Sequence, residues 1–546
     1  MCCIYTVLDT LRDERGAMMG LYLNPGNRSM RMDRNSSIYV DKSGLLAALN
    51  ARVNRGGERY VCSSRPRRFG KTMAANMLCA YYQRGIDSHA LFDDLSVART
   101  ADYAKHLNAY DVVWLDMRQL LSAASSASNL PQYVTSKIVG ELAVAYPDCV
   151  NQDCPTLFEA FSHVIAADPA HPGFIFVIDE WDALFREVPY DHAAQEAYIG
   201  FLRDMLKDKP YVALAYMTGI LPIKKYGTHS VLNMFQEASM TDPEPLQEYI
   251  GFTQSEVEAL CCEWGRDFSA IRSWYDGYLL HGSHVYNPCS VVSAMMQGTI
   301  KSFWSSTESY EALRPYIDLD LEGLRQDVVA MLGGQRVRVE VGGFANDMVT
   351  MRDRNDVLTL LIHLGYLAYD AQTAEAFVPN EEIHKEFENA LRKSHHPELA
   401  KLVLDSDALL QATLDGNASA VARALQQAHS SAAAPLFYNN EQALRAAVKL
   451  AYISAIDEYA TVEELASGRG YAGLVYLPKR GSTLPALLIE LKWNKPVCAA
   501  IEQIKQRDYP AVLRHWHGEI VLVGVSYDEK TGEHEALIER VEVPLN

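Results

Sequence analysis

The fold of this chain is decided by the stretch Arg59-Tyr60-Val61-Cys62-Ser63-Ser64-Arg65-Pro66-Arg67-Arg68-Phe69-Gly70-Lys71-Thr72. A short β-prone run leads into a loop that ends in Gly-Lys-Thr, and a helix-prone run over residues 73–82 follows. This order of strand, loop and helix is typical of a phosphate-binding loop. Gly70 lets the backbone approach phosphate oxygens, Lys71 reaches the β- and γ-phosphates, and the hydroxyl of Thr72 is a ligand for Mg²⁺.

The loop departs from the usual G-x-x-x-x-G-K-[ST] pattern at one position, because Arg65 stands where that pattern has glycine. A bare Gly-Lys-Thr also occurs by chance in long chains. The alternative interpretation is a helix N-terminus with an exposed lysine. A second motif is therefore needed before the sequence predicts a nucleotide site.

That second motif is Gly173-Phe174-Ile175-Phe176-Val177-Ile178-Asp179-Glu180. Its five consecutive apolar residues, followed by two acids, predict a strand that is buried on both faces. Acids at the carboxyl end of such a strand lie where doubly wound sheets bind ligands. We expect Asp179 to hold Mg²⁺ and Glu180 to orient and deprotonate the attacking water. The alternative is a strand that ends in a solvated turn.

Further strands are predicted at residues 111–116 and 212–217, with helix-like stretches around them. Alternating strands and helices predict a parallel α/β sheet. In that arrangement Thr218, at the end of the 212–217 strand, comes near the γ-phosphate and is a candidate sensor of it. The alternative is a turn residue whose hydroxyl is satisfied within the protein.

Length, net charge and cysteine content limit the kinds of protein that this chain can be. A length of 546 residues predicts several domains, and the net charge of −19 gives the surface as a whole no affinity for nucleic acid. The ten cysteines include no C-x-x-C pair, so reduced thiols are the simplest interpretation. We find no signal peptide and no run of 18 apolar residues, and we therefore expect a cytoplasmic protein with no membrane segment.

Several motifs together resemble those of the predicted AAA-ATPase-like family of prokaryotes, whose members carry a C-terminal PD-(D/E)XK nuclease domain. The matching stretches are Tyr39-Val40-Asp41-Lys42-Ser43, the loop 64–72, Ile178-Asp179-Glu180-Trp181-Asp182, Trp274-Tyr275-Asp276-Gly277-Tyr278, Tyr286-Asn287-Pro288 and Leu364-Gly365-Tyr366-Leu367. The Arg-Pro-Arg-Arg-Phe-Gly-Lys loop is a hallmark of that family, which accounts for Arg65. The resemblance implies ATP and Mg²⁺ as cofactors. It also implies a nucleotide-binding loop formed by Arg65, Pro66, Arg67, Arg68, Phe69, Gly70, Lys71 and Thr72.

The resemblance covers roughly residues 35–540 and implies an α/β protein with three main parts. A P-loop parallel sheet comes first, a helical and winged-helix-like region follows, and a PD-(D/E)XK-like α/β domain ends the chain. The expected divisions are an N-terminal extension at 1–35, the P-loop ATPase domain at 36–250, the helical lid and winged-helix-like region at 251–400, a helical connector at 401–435 and the nuclease-like domain at 436–546.

The nuclease-like domain contains a strand that ends in Glu490-Leu491-Lys492. Strand period two places Glu490 and Lys492 on one face. In the nuclease pattern Glu490 holds a divalent metal, and Lys492 positions the attacking water or neutralises the scissile phosphate. By resemblance an Asp belongs at position 473, where this chain has Gly473, while Glu441 matches the helix acid and remains a candidate ligand. We expect impaired cleavage, and we expect Gly473→Asp to suit the fold unless φ there is positive.

Charge gives the last domain a candidate phosphate-facing surface, because residues 469–514 contain eight basic residues and three acids. A solvated face is the alternative. Three functions therefore remain open, each with nucleotide as a partner and with oligomers allowed. The first is an ATPase whose nuclease-like domain binds DNA or RNA with little cleavage. The others are an active ATP-regulated, metal-dependent nuclease, as in defence, and an ATPase switch with a C-terminal protein-interaction module.

Overall fold

The structure is a computed structural model that describes residues 20–223, 232–304, 313–319, 321–344, 351–394, 397–430, 441–463, 473–479, 482–506 and 518–543. Most of the expected N-terminal extension at 1–35 lies outside the described residues, and so does the end of the expected connector, 431–435. The same holds for the side chain of Glu441 and for part of the basic stretch, namely Arg469, Arg480, Arg507 and Arg514.

The first part of the chain is built on a five-stranded sheet in which every pair of neighbouring strands is parallel. Its strands are β1 (Tyr60–Ser64), β2 (Asp111–Asp116), β3 (Phe174–Asp179), β4 (Val212–Gly219) and β5 (Gln236–Ala238), in the order β2-β3-β4-β1-β5. The predicted parallel α/β sheet is confirmed. All six residues of β3 are buried, as its unbroken apolar run predicts.

Helices cover both faces of this sheet. They are α1 (Arg28–Arg34), α2 (Gly44–Asn50), α3 (Lys71–Tyr82), α4 (His89–Phe92), α5 (Tyr103–His106), α6 (Met117–Ala123), α7 (Leu130–Ala145), α8 (Leu157–Ala167), α9 (Ala183–Glu187) and α10 (His192–Leu206). Strand side chains alternate between the faces, so Val177 of β3 packs in one core with α2 and α3, and Phe176 packs in another with α7, α8 and α10. The sheet is therefore doubly wound.

The middle region begins with a small sheet of order β6-β8-β7. Its elements are β6 (Phe252–Thr253), α11 (Gln254–Trp264), α12 (Phe268–Tyr275), β7 (Tyr278–Leu280), β8 (Ser283–Tyr286) and α13 (Pro288–Gln297). Helix α11 starts with the predicted capping box: Glu256 N–H donates to Thr253 Oγ1, and Thr253 N–H donates to Glu256 Oε2.

The next segment combines helices with a three-stranded antiparallel sheet of order β10-β11-β9. Its elements are α14 (Arg314–Ile317), α15 (Leu324–Leu332), β9 (Val337–Arg338), α16 (Arg354–Leu364), β10 (Ala368–Asp370), β11 (Glu375–Phe377) and α17 (Glu381–Arg392). Two helices, a strand, a helix and a hairpin follow one another in the described part of this segment. One apolar core includes Val177 of the first sheet as well as Leu361 and Ile383 of this segment.

The last part of the chain contains a five-stranded mixed sheet of order β12-β13-β14-β15-β16. Helices α18 (Pro397–Leu414), α19 (Ala418–Ser430) and α20 (Glu441–Ala451) precede β12 (Tyr459–Glu463), β13 (Leu474–Pro478), β14 (Ala486–Trp493), α21 (Cys498–Gln506), β15 (Gly518–Asp528) and β16 (Glu533–Val543). Strands β14 and β15 are parallel and joined through α21, while the other neighbours are antiparallel. None of the described helices is long and apolar enough to span a bilayer.

Candidate functional site

The loop between β1 and α3 is shaped by backbone conformations that few residue types adopt. Gly70, the N-cap of α3, has φ 90°, and Arg68 has φ 67°. A Cβ built at Gly70 would meet nothing within 4 Å among the described residues, so the space above the helix start is open. Backbone N–H groups at such a helix start attract anions. The loop therefore presents an open anion site at the N-terminus of α3.

Lys71 folds back into this loop. Its Nζ donates to the carbonyl oxygens of Arg65, at 2.9 Å, and Pro66, at 2.7 Å. Burial lowers the pKa of Lys71 to about 8, although the carboxylates of Asp179 and Asp182 act to raise it. An ammonium held by two neutral carbonyl oxygens gains when anionic phosphate oxygens replace them.

Asp179 lies at the carboxyl end of β3 and joins two predicted site residues. Thr72 Oγ1 donates to its Oδ2 at 2.7 Å, and Thr218 Oγ1 donates to its Oδ1. Burial raises the pKa of Asp179, and the two hydroxyl hydrogen bonds oppose that effect. Oxygen donors of this kind suit Mg²⁺, so the donor set fits the metal that the loop implies. The hydroxyl of Thr218 is thus satisfied by Asp179.

Glu180 follows Asp179 with a left-handed backbone, φ 49°. Its Oε2 accepts a hydrogen bond of 2.7 Å from Arg186 Nη2, and Arg186 also forms an ion pair of 3.2 Å with Asp182. Partial burial acts to raise the pKa of Glu180, but the hydrogen bond and charge of Arg186 outweigh it, and the pKa is lowered. Our sequence analysis missed Arg186, although its i, i+4 spacing from Asp182 indicates such a pair.

Arg65 lies beneath the loop, not in front of it. Its side chain is fully buried, and Nη1 donates to the carbonyl oxygens of Ser64, Ala238 and Ser239 at 2.9–3.0 Å. Burial lowers its pKa to about 10. This geometry fastens the loop to the end of β5. We therefore assign Arg65 a structural role in place of the nucleotide contact that the resemblance implies.

A cleft of about 740 Å³ opens in front of the loop. The loop residues that line it are Arg67, Arg68, Phe69, Gly70, Lys71 and Thr72, and Arg118 and Glu180 lie in the same lining. Its apolar lining is formed by Met30, Ile38, Val40, Met73, Met77, Phe252 and Val292. Arg65 and Pro66 are not among the lining residues. The cleft therefore combines a basic phosphate end with an apolar wall.

Helix α1 and the segment after it supply part of that wall, and of these two our sequence analysis did not predict α1. Asp33 of α1 accepts a hydrogen bond of 2.9 Å from Asn76 Nδ2 of α3, and burial raises its pKa. Lys42 also lines the cleft, but its Nζ donates to Glu256 Oε2 at 2.6 Å and to the carbonyl of Glu248 at 2.8 Å. The segment before β1 thus ties the cleft to α11.

In the last domain, Glu490 and Lys492 lie side by side on β14, as their spacing predicts. Lys492 Nζ donates to Glu490 Oε1 at 3.0 Å and to Gln503 Oε1 at 2.7 Å, and Gln503 Nε2 donates to the same Glu490 oxygen. Among the described residues no group of three or more His, Cys, Asp and Glu side chains is placed to hold a metal. In the described part of the chain, which excludes the side chain of Glu441, one carboxylate already paired with a lysine offers too few ligands for a catalytic metal.

Gly473 lies beside this pair, and its surroundings correct one expectation. A Cβ at position 473 would stand 2.1 Å from the carbonyl oxygen of Ile489 and 3.1 Å from Glu490 Oε2. The φ of Gly473 is not in the left-handed region, so the obstacle is contact with the β14 backbone, not torsional strain. Gly and Asp are therefore not interchangeable in this fold, although a carboxylate at 473 would be adjacent to Glu490.

The basic stretch of this domain is largely engaged within the protein where it is described. Lys479 donates to the carbonyl of Asp457 at 2.9 Å and lies 4.8 Å from the ring centroid of Trp274 in the middle region. Lys505 pairs with Glu539 at 2.6 Å. The contacts of Lys479 oppose the expectation of a phosphate-facing surface, whereas the exposed ion pair of Lys505 does not bear on it. Lys495, in contrast, is exposed.

The match to a protein family concerns the first part of the chain. Residues 28–229 match the family described as predicted AAA-ATPase. That range contains the loop, Asp179, Glu180 and Thr218, and it ends before the middle region.

An uncharacterized protein from the vnfD 5′ region of Azotobacter chroococcum mcd 1 is 24% identical over 277 residues, which are 49% of this chain. The match covers 50% of that protein, so the chain spans about half the length of this curated relative. A Walker-type ATPase of Pyrococcus abyssi aligns at 12% identity over 63% of this chain and 94% of that one. The TM-score of 0.33 is too low to show a common fold.

Proposed function

We propose that this chain binds and hydrolyses ATP. The observation that carries the proposal is the hydrogen-bonded group of Thr72, Asp179 and Thr218 in front of an open, lysine-containing loop. The match of residues 28–229 to a predicted AAA-ATPase family supports it. The apolar wall of the cleft suits a nucleotide base, and the basic end suits a triphosphate.

In the proposed complex the phosphates lie at the N-terminus of α3. Lys71 exchanges the carbonyls of Arg65 and Pro66 for β- and γ-phosphate oxygens, which its position 2.7–2.9 Å from those carbonyls allows. Thr72 and Asp179 are the residues that would hold Mg²⁺, and the bound ion would neutralise charge on the phosphates. Thr218 keeps the Asp179 carboxylate oriented.

Glu180 is the proposed general base. The oxygen of a water molecule attacks the γ-phosphorus, the bond from that phosphorus to the β,γ-bridging oxygen breaks, and Glu180 takes the water proton, giving ADP and phosphate. A carboxylate that accepts a hydrogen bond from Arg186 at 2.7 Å is a weak base. In the proposed reaction Glu180 therefore becomes a stronger base if it moves away from Arg186.

For the last domain we propose a nuclease-like fold with little or no cleavage. The order of α20, three antiparallel strands β12–β14, α21 and the parallel β15 supports this interpretation, as does the contact between Glu490 and Lys492. The poor fit of the site to a metal argues against an active nuclease. Lys479 donates to a backbone carbonyl, and on that contact we favour a protein-interaction module over nucleic acid binding, although the exposed ion pair of Lys505 can exchange for another anion. A gel shift that weakens with salt would reverse that preference.

The test of ATP hydrolysis uses the full chain with Mg²⁺, phosphate release as the rate and a fluorescent ATP analogue for binding. Lys71→Ala should lose affinity, because it removes the cation facing the phosphates. Glu180→Gln should keep binding and lose roughly 10²-fold in turnover. Exposed residues on α7 and α10 provide matched controls, Lys137→Ala and Glu196→Gln, which should behave like the parent chain. Equal binding by the parent and Lys71→Ala would contradict a phosphate role for the loop.

A further inference from the structure

A second cationic side chain reaches the cleft from outside the loop. Arg118 lies on α6, directly after β2, and β2 is the sheet neighbour of the strand that ends in Asp179. Its side chain lines the cleft together with Lys71, Thr72 and Glu180. The proximity is also electrostatic, since the charge of Arg118 contributes to lowering the pKa of Glu180, after the larger effects of burial, Arg186 and Lys71.

The two arginines near Glu180 differ in how firmly they are held. Arg186 is only 7% exposed and contacts two carboxylates, Glu180 and Asp182. Arg118 is 64% exposed and contacts Glu187, itself 40% exposed, at 3.2 Å. A surface ion pair of this kind contributes little to stability and is easily exchanged for another anion. Arg186 is thus fixed in place, whereas Arg118 is free to change partner.

We propose that Arg118 is a catalytic residue of ATP hydrolysis in its own chain. In the transition state its side chain moves away from Glu187 and contacts the γ-phosphoryl group. The inference rests on the proposed ATPase function. In phosphoryl transfer, charge is spread over the oxygens of the transferred group, and a planar guanidinium donates to two of them at once. Arg118 follows β2 and shares the cleft lining with Glu180, so it would contact that group from an element other than the loop.

The neighbouring helix links this arginine to the base. Helix α9 carries Arg186, which holds Glu180, and the next residue, Glu187, which holds Arg118. Both contacts are therefore made by neighbouring residues of one short helix. A shift of this short helix would therefore release the base and the arginine together.

The test separates kcat from KM. Arg118→Ala should lower kcat by roughly 10²-fold, the usual cost of removing one donor to developing charge. Its KM for ATP and its affinity for the fluorescent analogue should stay within about threefold of the parent values. Arg118→Lys should recover little of the rate, because an ammonium lacks the planar fork. The matched control is Arg203→Ala, which removes an exposed arginine that pairs with Asp204 on the same sheet domain.

Mixing two inactive variants tests whether the arginine acts in its own chain. Arg118→Ala and Lys71→Ala, combined in equal amounts, should show no more activity than their sum, and recovered turnover would overturn the same-chain assignment. An Arg118→Ala protein with the parent kcat would overturn the inference and leave the ATPase function standing. An Arg118→Ala protein whose KM rises while its kcat stays at the parent value would also overturn the inference and leave the ATPase function standing. A parent chain that turns over no ATP would overturn the proposed function and this inference with it.

Discussion

Gly365 packs directly against Pro66 of the loop between β1 and α3, so closely that a Cβ at position 365 would lie 2.8 Å from the Cβ of Pro66. Gly365 is the C-cap of α16 in the middle region, with φ 87°. A second contact joins the same two parts, because Phe69 of the loop meets Tyr278 edge to face at 5.3 Å, and Tyr278 donates to the Gly365 carbonyl at 2.7 Å. The loop is therefore packed directly against the middle region.

Gly365→Ala should weaken nucleotide binding through this contact. The added methyl group meets Pro66, and the loop has to move to relieve the clash. If about 1.4 kcal/mol of that clash reaches the binding equilibrium, affinity for the ATP analogue falls roughly tenfold. The variant should also melt at a lower temperature, because alanine is strained at positive φ.

Gly265→Ala introduces the same backbone strain at positive φ without a contact to the loop. Gly265 is the C-cap of α11, with φ 62°, and a Cβ there meets nothing within 4 Å among the described residues. This variant should lose thermal stability and keep the nucleotide affinity of the parent. Equal affinity in both glycine variants would mean that Pro66 and Gly365 are not coupled to the nucleotide.

The parallel sheet and the pairing of Glu490 with Lys492 were predictable because both depend on local periodicity. The apolar run of β3 is enough to place Asp179 at its carboxyl end, and strand period two is enough to place Glu490 beside Lys492. The role of Arg65 was not predictable, since its carbonyl partners Ala238 and Ser239 are more than 170 residues away along the chain. No local sequence pattern indicates a contact between residues so far apart in the chain.

The same reasoning explains the other missed features. The clash at Gly473 depends on how closely β13 and β14 approach, which strand periodicity does not encode. The wall formed by α1 depends on its packing against α3, through contacts such as Asp33 with Asn76. Arg118 escaped notice because α6 carries no motif, and its position follows from the adjacency of β2 and β3 in the sheet.

When nucleotide binds near pH 8, the side chain of Lys71 should take up a proton. In the protein without nucleotide, burial lowers the pKa of Lys71 to about 8. Phosphate oxygens in contact with the ammonium group raise this pKa again. The bound state therefore holds more protons, so affinity should fall as pH rises through 8. At pH 8 the uptake is roughly half a proton, which calorimetry detects as heats that differ between buffers of different ionisation enthalpy.

Lys71→Arg provides the comparison, because a guanidinium stays protonated throughout this range. Its binding heats should not depend on the buffer through this group. Buffer-independent heats for the parent chain at pH 8, or the same dependence in Lys71→Arg, would contradict the assignment of the proton to Lys71.

Glu382 should make the middle region less stable as pH rises. Its carboxylate is buried and accepts hydrogen bonds from Ser290 Oγ and the N–H groups of Phe303 and Trp304 at 2.7–3.0 Å. Burial raises its pKa from 4.5 to about 7, so between these values the folded chain keeps a proton that the unfolded chain has lost. The stability this provides is complete below pH 4.5 and is lost as pH rises through 7.

The free energy of unfolding should fall by up to about 3 kcal/mol over this pH range, since each unit of pKa difference between the folded and unfolded states corresponds to about 1.4 kcal/mol. Glu382→Gln retains an oxygen for the two backbone N–H groups and does not titrate. The melting temperature of the parent, relative to this variant, should therefore decline between pH 5 and pH 8. A constant difference across that range would show that Glu382 is ionised in the folded protein.

Two substitutions at Gly473 separate crowding from metal chemistry. Gly473→Ala introduces only the Cβ that would stand 2.1 Å from the carbonyl oxygen of Ile489, and it should destabilise the domain by about 1–3 kcal/mol, as overpacking does. Gly473→Asp adds a carboxylate beside Glu490, so without metal it should melt below the alanine variant through charge repulsion.

Divalent metal should then reverse the order of the two variants. With two adjacent carboxylates available, Mn²⁺ binds the folded Gly473→Asp protein and raises its melting temperature, while the Gly473→Ala protein, with one lysine-paired carboxylate, gains little. Nuclease assays on the parent and the alanine variant should show no cleavage, because Glu490 is engaged by Lys492 and Gln503. Metal-dependent cleavage by the parent chain that Lys492→Ala abolishes would contradict this, since it would require a further ligand to complete the site.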